Sequence, residues 1–204
     1  KSTGEVTVSP NAFGGPRFEI LVDRAYDFIE RDPYLESLKE PSWIYFGSLA
    51  QRNSVSRQTI REYLKSRKGK GKVILDLNLR PPFYNYGIVD VCLGFCDILK
   101  VNDQELAEIK NLLGLQYYMG INPLIEHLHR EYDIRWICVT RGEKGCEWFE
   151  DGTPVPKKQE AGPVKAFESS VGAGDAFSAM LVFGLIQDWP LPLILERASL
   201  FASK

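Results

Sequence analysis

Three short apolar runs are spaced through the middle of the chain, and each is followed by a stretch with helical periodicity. This alternation limits the fold more than any other feature. The runs are Val73-Ile74-Leu75-Asp76, Asp97-Ile98-Leu99-Lys100-Val101 and Trp136-Ile137-Cys138-Val139-Thr140. Largely apolar runs of this length suit strands buried on both faces. Tyr84 to Cys96, Asn102 toward Gly114, and Ile121 to Tyr132 carry the helical pattern between and after them. A shorter β-rich run, Ser42 to Phe46, ends at Gly47-Ser48 and precedes an amphipathic helix over Ser54 to Lys68. The pattern predicts an α/β fold: a mostly parallel open sheet with helices on both faces. Such sheets bind ligands beyond the carboxyl ends of their strands. Asn78 with Arg80, Asn102 with Glu105, and Thr140 with Gly142 each fall where a predicted strand stops. One rim should therefore collect them.

The flanks add smaller elements. Glu5-Val6-Thr7-Val8 and Arg17-Phe18-Glu19-Ile20 alternate on either side of turn-forming residues. They predict a two-stranded ribbon over residues 1–21, too short to stand alone. Residues 22–204 are read as the α/β domain. Ala25 to Ile29 suggests a short helix closed by Asp32-Pro33. Cys146 to Phe149 is expected to return as an antiparallel partner. Asp151 to Pro163 reads as a loop, and a last helix runs from about Pro190 to Ser203. Asp76, Asn78 and Arg80 alternate, so a strand persisting through them would point all three side chains one way.

Charge and cysteines exclude some functions. Lys+Arg total 25 against Asp+Glu 27, a net charge of −2. That gives no basic excess for nucleic acid or an anionic membrane. The basic stretch Lys65 to Lys72 reads as a solvated helix end and linker. No apolar run is long enough to span a bilayer. Cys92, Cys96, Cys138 and Cys146 form no C-x-x-C pair, and His127 and His129 lie apart from the first two in sequence, so no zinc site is expected. Reduced core thiols in a cytoplasmic protein fit better.

The chemistry concentrates in Ser169 to Met180. Gly172, Ala173 and Gly174 precede Asp175, and an apolar helical run to Ile186 follows. A tight turn feeding a helix N-terminus offers unpaired N–H groups and a positive dipole end. Glycines let an anion approach the backbone closely, which suits a phosphate. An acid in the first helical turn is then placed for phosphoryl transfer, taking a proton from an attacking hydroxyl. The plainer alternative is an Asp capping a core helix.

V-G-A-G-D-A-F resembles the signature of the ribokinase-like, pfkB-type carbohydrate kinases. Ser170 stands where that family has Thr, and Ser169 where it usually has Asp. Asp76-Leu77-Asn78-Leu79-Arg80 resembles the family's D-x-N-x-R element, Asn102 to Glu105 its N-x-x-E, and Thr140 to Gly145 its T-x-G-x-x-G. The wording of Phe46 to Arg52 and of Asp76 to Tyr84 is similar to fructokinases. The resemblance implies an ATP-dependent sugar kinase acting on a primary hydroxyl, with fructose as the expected acceptor. It implies Asp175 as base, with Gly172, Ala173 and Gly174 as the anion turn. Asn78 and Arg80 would bind the sugar, and Glu105 magnesium through water. Asn102, Thr140, Gly142, Gly145 and Ser203 would meet the nucleotide. It implies that residues 1–21 belong to a β lid through which subunits can pair. The monovalent-cation site of the family uses the acid that Ser169 replaces, so potassium dependence is expected to be weak. The alternatives are a catalytically inactive kinase-like scaffold or sugar sensor, and a nucleoside kinase of the same family. The family's N-terminal sugar-binding region and a further C-terminal helix have no counterpart here. The sheet is therefore expected either to show a bare edge at its first strand or to be part of a longer chain.

Overall fold

The apolar runs become inner strands of a six-stranded sheet. The computed structural model describes residues 1–10, 16–32, 42–162 and 171–203. Strands β3 (Trp43–Gly47), β4 (Lys72–Asp76), β5 (Ile98–Asn102), β6 (Trp136–Thr140), β7 (Cys146–Glu150) and β8 (Lys157–Gln159) lie side by side in chain order. β3 to β6 run parallel, and β7 and β8 antiparallel. β3 has a partner on one side only among the described residues. β8 lies inside the stretch expected to be a loop: its three residues pair with the outer side of β7, a tertiary contact that two flanking prolines obscure in the sequence. A separate ribbon pairs β1 (Val6–Pro10) with β2 (Pro16–Ile20), Val6 opposite Ile20.

Among the described residues six helices cover the sheet: α1 (Ser54–Ser66), α2 (Tyr86–Leu93), α3 (Asp103–Leu112), α4 (Asn122–Tyr132), α5 (Ala173–Ile186) and α6 (Leu191–Ala202). Asn53, Asn85 and Asn102 cap α1, α2 and α3, each side chain accepting a first-turn N–H. Such caps stabilise a helix start by about 1 kcal/mol. Ala25–Asp27 is a 3-10 turn rather than the expected helix, and α2 is shorter at both ends than its apolar pattern.

Alternate strand residues face opposite layers. Val73, Leu75, Leu99 and Ile137 pack under α1 to α4, while Ile74, Ile98 and Cys138 pack under α5 and α6. All four cysteines are buried and free. Burial pushes the Cys92 thiol up to about 12 and Cys96 also well up, so neither is a thiolate at neutral pH. No helix among the described residues is long and apolar enough to cross a membrane.

α5 and α6 touch at Gly184. A methyl there would lie 2.8 Å from Ile194 Cγ1 and 3.2 Å from Cγ2. Ile194 is β-branched and fully buried, so it yields poorly. Alanine normally gains about 1 kcal/mol over glycine inside a helix. Here overpacking, costing about 1–3 kcal/mol, should win. Gly184→Ala is therefore expected to lower the melting temperature, and Ile194→Ala in the same chain to restore part of it.

Asp27 is almost fully buried beside the ribbon and meets Arg52 Nε at 2.7 Å. The Arg52 hydrogen bonds hold its carboxyl below the ordinary Asp value against the opposing effect of burial. The stabilisation is therefore present at neutral pH and lost as pH falls through the depressed folded-state value. Asp27→Asn should be less stable at pH 7. The gap to wild type should stay constant down to about pH 4 and close below it. Denaturant unfolding across pH measures it, and a gap that stays open in acid contradicts this reading.

Candidate functional site: an open helix N-terminus at the strand rim

The carboxyl ends of β3 to β6 meet at one rim. Gly47 lies opposite Asp76, Asp76 opposite Lys100, and Asn102 opposite Thr140. The start of α5 lies over this rim. Gly172 is left-handed, with φ 86° and ψ −12°, a conformation that costs glycine little. The first intrahelical bond runs from Ala176 N to the Gly172 carbonyl at 2.8 Å. The amides of Ala173, Gly174 and Asp175 therefore have no intrahelical acceptor. Gly172, Gly174 and Asp175 are exposed. Ser169 and Ser170 lie outside the described residues.

Under that turn lies a buried polar group. Asp76 is 2 % exposed and Lys100 6 % exposed. Lys100 Nζ donates to both Asp76 oxygens, at 3.2 and 3.1 Å. Tyr45 Oη donates to Asp76 Oδ2 at 3.0 Å. The Ser178 hydroxyl, on α5, lies 2.5 Å from the same oxygen and 2.9 Å from the Gly174 carbonyl. A methyl on Gly174 would come within 3.7 Å of Lys100 Nζ, so the ammonium sits directly beneath the turn. Burial first, and the Asp76 charge second, push the Tyr45 phenol well above its ordinary value.

The expected alternation through Asn78 and Arg80 does not hold. β4 ends at Asp76, and Asn78 takes φ 41°, a left-handed turn that Asn tolerates. Three bonds shape the segment beyond. Leu77 N donates to the Lys100 carbonyl at 3.1 Å, Ser48 Oγ to the Leu77 carbonyl at 2.6 Å, and Leu79 N to Glu105 Oε1 at 2.8 Å. Arg80 is exposed and makes no side-chain bond among the described residues. Glu105 also accepts from Asn102 N at 2.9 Å while Asn102 accepts from Glu105 N at 2.7 Å, a reciprocal cap on α3. Glu105 is 8 % exposed, and burial, outweighing these hydrogen bonds, raises its carboxyl above the ordinary value.

The last elements lie at the β6–β7 turn and the end of α6. Thr140 Oγ1 donates weakly to the Val101 carbonyl at 3.4 Å. Gly142, at φ 56°, faces open space. Gly145, at φ 81°, is pressed against β8: an added Cβ would fall 1.9 Å from the Gln159 carbonyl oxygen. Packing alone thus demands glycine there. Ser203 caps the end of α6 through the Leu200 carbonyl at 2.9 Å, beside Gly162. The rim gathers Asn78, Asn102, Glu105, Thr140 and Asp175, while Gly145 and Ser203 carry local packing roles.

Lys100, Tyr45 and Ser178 were not singled out in the sequence. A lysine inside the run Ile98 to Val101 was a visible signal, since a buried cation needs a partner. The partner, Asp76, is its neighbour in register on β4. Removing one member of such a pair strands the other charge, at a cost of about 3–5 kcal/mol. Lys100→Met is expected to lose about that much in denaturant unfolding. Asp76→Asn with Lys100→Met should lose less, and a double variant no better than the single contradicts the assignment.

Comparison with known proteins agrees with the fold. The sequence pattern of the pfkB family carbohydrate kinases matches residues 27–204. The chain is 25% identical over 195 residues to the sugar kinase PH1459 of Pyrococcus horikoshii, covering 92% of this chain and 56% of that protein. It thus spans little more than half of that relative. The crystal structure of PH1459, an uncharacterized sugar kinase in complex with ATP, matches with a TM-score of 0.74 at 24% identity, over 98% of this chain and 63% of that one. A fructokinase with bound ATP from Xylella fastidiosa matches with 0.81 at 17%, over 100% and 68%. A nucleoside kinase from Burkholderia thailandensis in complex with inosine matches with 0.70 at 13%, over 98% and 60%. At these identities the structural likeness is one of fold. The family pattern, covering most of the chain and including the glycine turn, places it: this chain belongs to the pfkB family of carbohydrate kinases.

Proposed function

We propose that the chain is the phosphate-handling part of an ATP-dependent sugar kinase acting on a primary hydroxyl, with fructose the first acceptor to test. The observation that carries this reading is the open start of α5 over the strand rim, with the Lys100 ammonium beneath it. Three amides and a buried cation would meet the charge that develops on a transferring phosphoryl group. Asp175, exposed in the first turn, takes the proton of the attacking hydroxyl. Asn78 and Arg80 hold the sugar. Arg80 is suited to it because its planar fork is uncommitted among the described residues. Asn102, Thr140 and Gly142 contact the nucleotide, with Gly145 and Ser203 shaping that wall. Residues 1–21 serve as a lid over the sugar.

Magnesium with ATP fits the donors present. Among the described residues no three His, Cys, Asp or Glu side chains group to hold a metal directly. Glu105 has each oxygen engaged by one backbone N–H, which leaves each a lone pair to accept from a metal-bound water. The ion would neutralise charge on the phosphates when bound.

An ADP-release assay on the intact protein, over a panel of sugars and nucleosides, tests the reading. Fructose should be turned over, and Asp175→Asn should lower kcat by about 100-fold or more. Near-normal kcat in that variant refutes the base. Preference for a nucleoside replaces the sugar, and no turnover of any acceptor removes the kinase reading.

A further inference from the structure

Arg52 lies a few residues beyond the end of β3, as the last residue of the Phe46–Arg52 stretch. Its side chain is 7% exposed. Besides Asp27, it meets the base of the β1–β2 ribbon. Nη2 donates to the Leu21 carbonyl at 2.6 Å, one residue past β2, and to Tyr26 Oη at 3.2 Å. Tyr26 Oη donates to the same carbonyl at 3.0 Å. The other strand meets this group too. A methyl on Gly4, just before β1, would lie 2.3 Å from Tyr26 Cε1, so the ring is pressed on the backbone there. The Arg52 guanidinium also lies over the Phe83 ring, 4.3 Å from its centroid. Phe83 ends the segment that begins at Leu77 and contains Asn78 and Arg80. The same loop holds the other end of that segment, through Ser48 on the Leu77 carbonyl. Nη1 is buried and without an acceptor among the described residues, so the fork is not saturated in this arrangement.

We infer that Arg52 is a positioning residue that couples the base of the ribbon to the Leu77–Phe83 segment, so that ribbon and segment move together. The inference rests on the reading that Asn78 and Arg80 hold the sugar. Only a planar fork can satisfy Asp27 in two places, reach Leu21 and still present a flat face to Phe83; a lysine ammonium cannot. Coupling of this kind acts on acceptor binding and leaves the nucleotide side, built on β5 and β6, untouched.

The test uses the intact protein with Arg52→Met, Arg52→Lys and Phe83→Leu. Hydrogen exchange is followed in residues 1–21 and 77–83, with 98–102 as reference, and KM is measured for sugar and for ATP. In Arg52→Met, exchange should rise about tenfold or more in both segments together and not in the reference. The sugar KM should rise about tenfold, with the ATP KM within about twofold. Arg52→Lys should recover melting temperature without recovering the sugar KM. Faster exchange in one segment alone overturns the coupling, as does an equal rise in both KM values. If the protein phosphorylates no sugar, the proposed function fails while the exchange data still decide the coupling. If Arg52→Met does not fold, Phe83→Leu decides: it leaves the Asp27 pair intact and must speed exchange in residues 1–21. Unchanged protection there overturns the inference.

Discussion

One buried carboxylate holds the site together. Asp76 accepts from Lys100 on β5, Tyr45 on β3 and Ser178 on α5. A charge taken out of water at this depth is tolerated only when neutralised and fully hydrogen-bonded. Each donor comes from a different element, so satisfying Asp76 also fixes where those elements lie. The glycine turn inherits its place from this arrangement, because Ser178 reaches Gly174 and Asp76 from the same helix face. Apolar packing of α5 on Ile74 and Ile98 would allow the helix to slide; the polar contacts below its first turn specify one position.

Much of the rim is built from backbone groups. The Leu77–Leu79 segment is held at its amides and carbonyls by Lys100, Ser48 and Glu105. Leu77 and Leu79 pack into the core, and Asn78 between them is half-buried. Glu105 shows how a single residue can serve two ends. It closes the first turn of α3 and clips the neighbouring segment, one carboxylate oxygen to each.

The sheet was legible because inner parallel strands must be apolar on both faces, and Val73-Ile74-Leu75 or Trp136 to Val139 permit little else. The rim followed, since each polar motif began where an apolar run stopped. The Asp76–Lys100 pair was hidden by distance in sequence: 24 residues separate partners that only strand register brings together. The end of β4 at Asp76 was not legible because alternation in sequence cannot show where a strand stops, and the positive φ of Asn78 belongs to the turn that follows. β8 was missed for a related reason, since its pairing depends on β7 and not on any pattern of its own. Ser169 lies outside the described residues, and the reading of a cation site there stays with the sequence.

Gly145 has an unusual place in how this sequence can vary. The atoms that a side chain would strike are the Gln159 carbonyl oxygen, the Glu160 carbonyl carbon and the Ala161 nitrogen. Every amino acid carries those main-chain atoms. A clash with a side chain can be relieved by trimming the neighbour, but here no replacement at 159, 160 or 161 makes room. Position 145 should therefore have no second-site suppressor along β8, and the β6–β7 turn and the outer strand are free to drift in sequence only around that one residue.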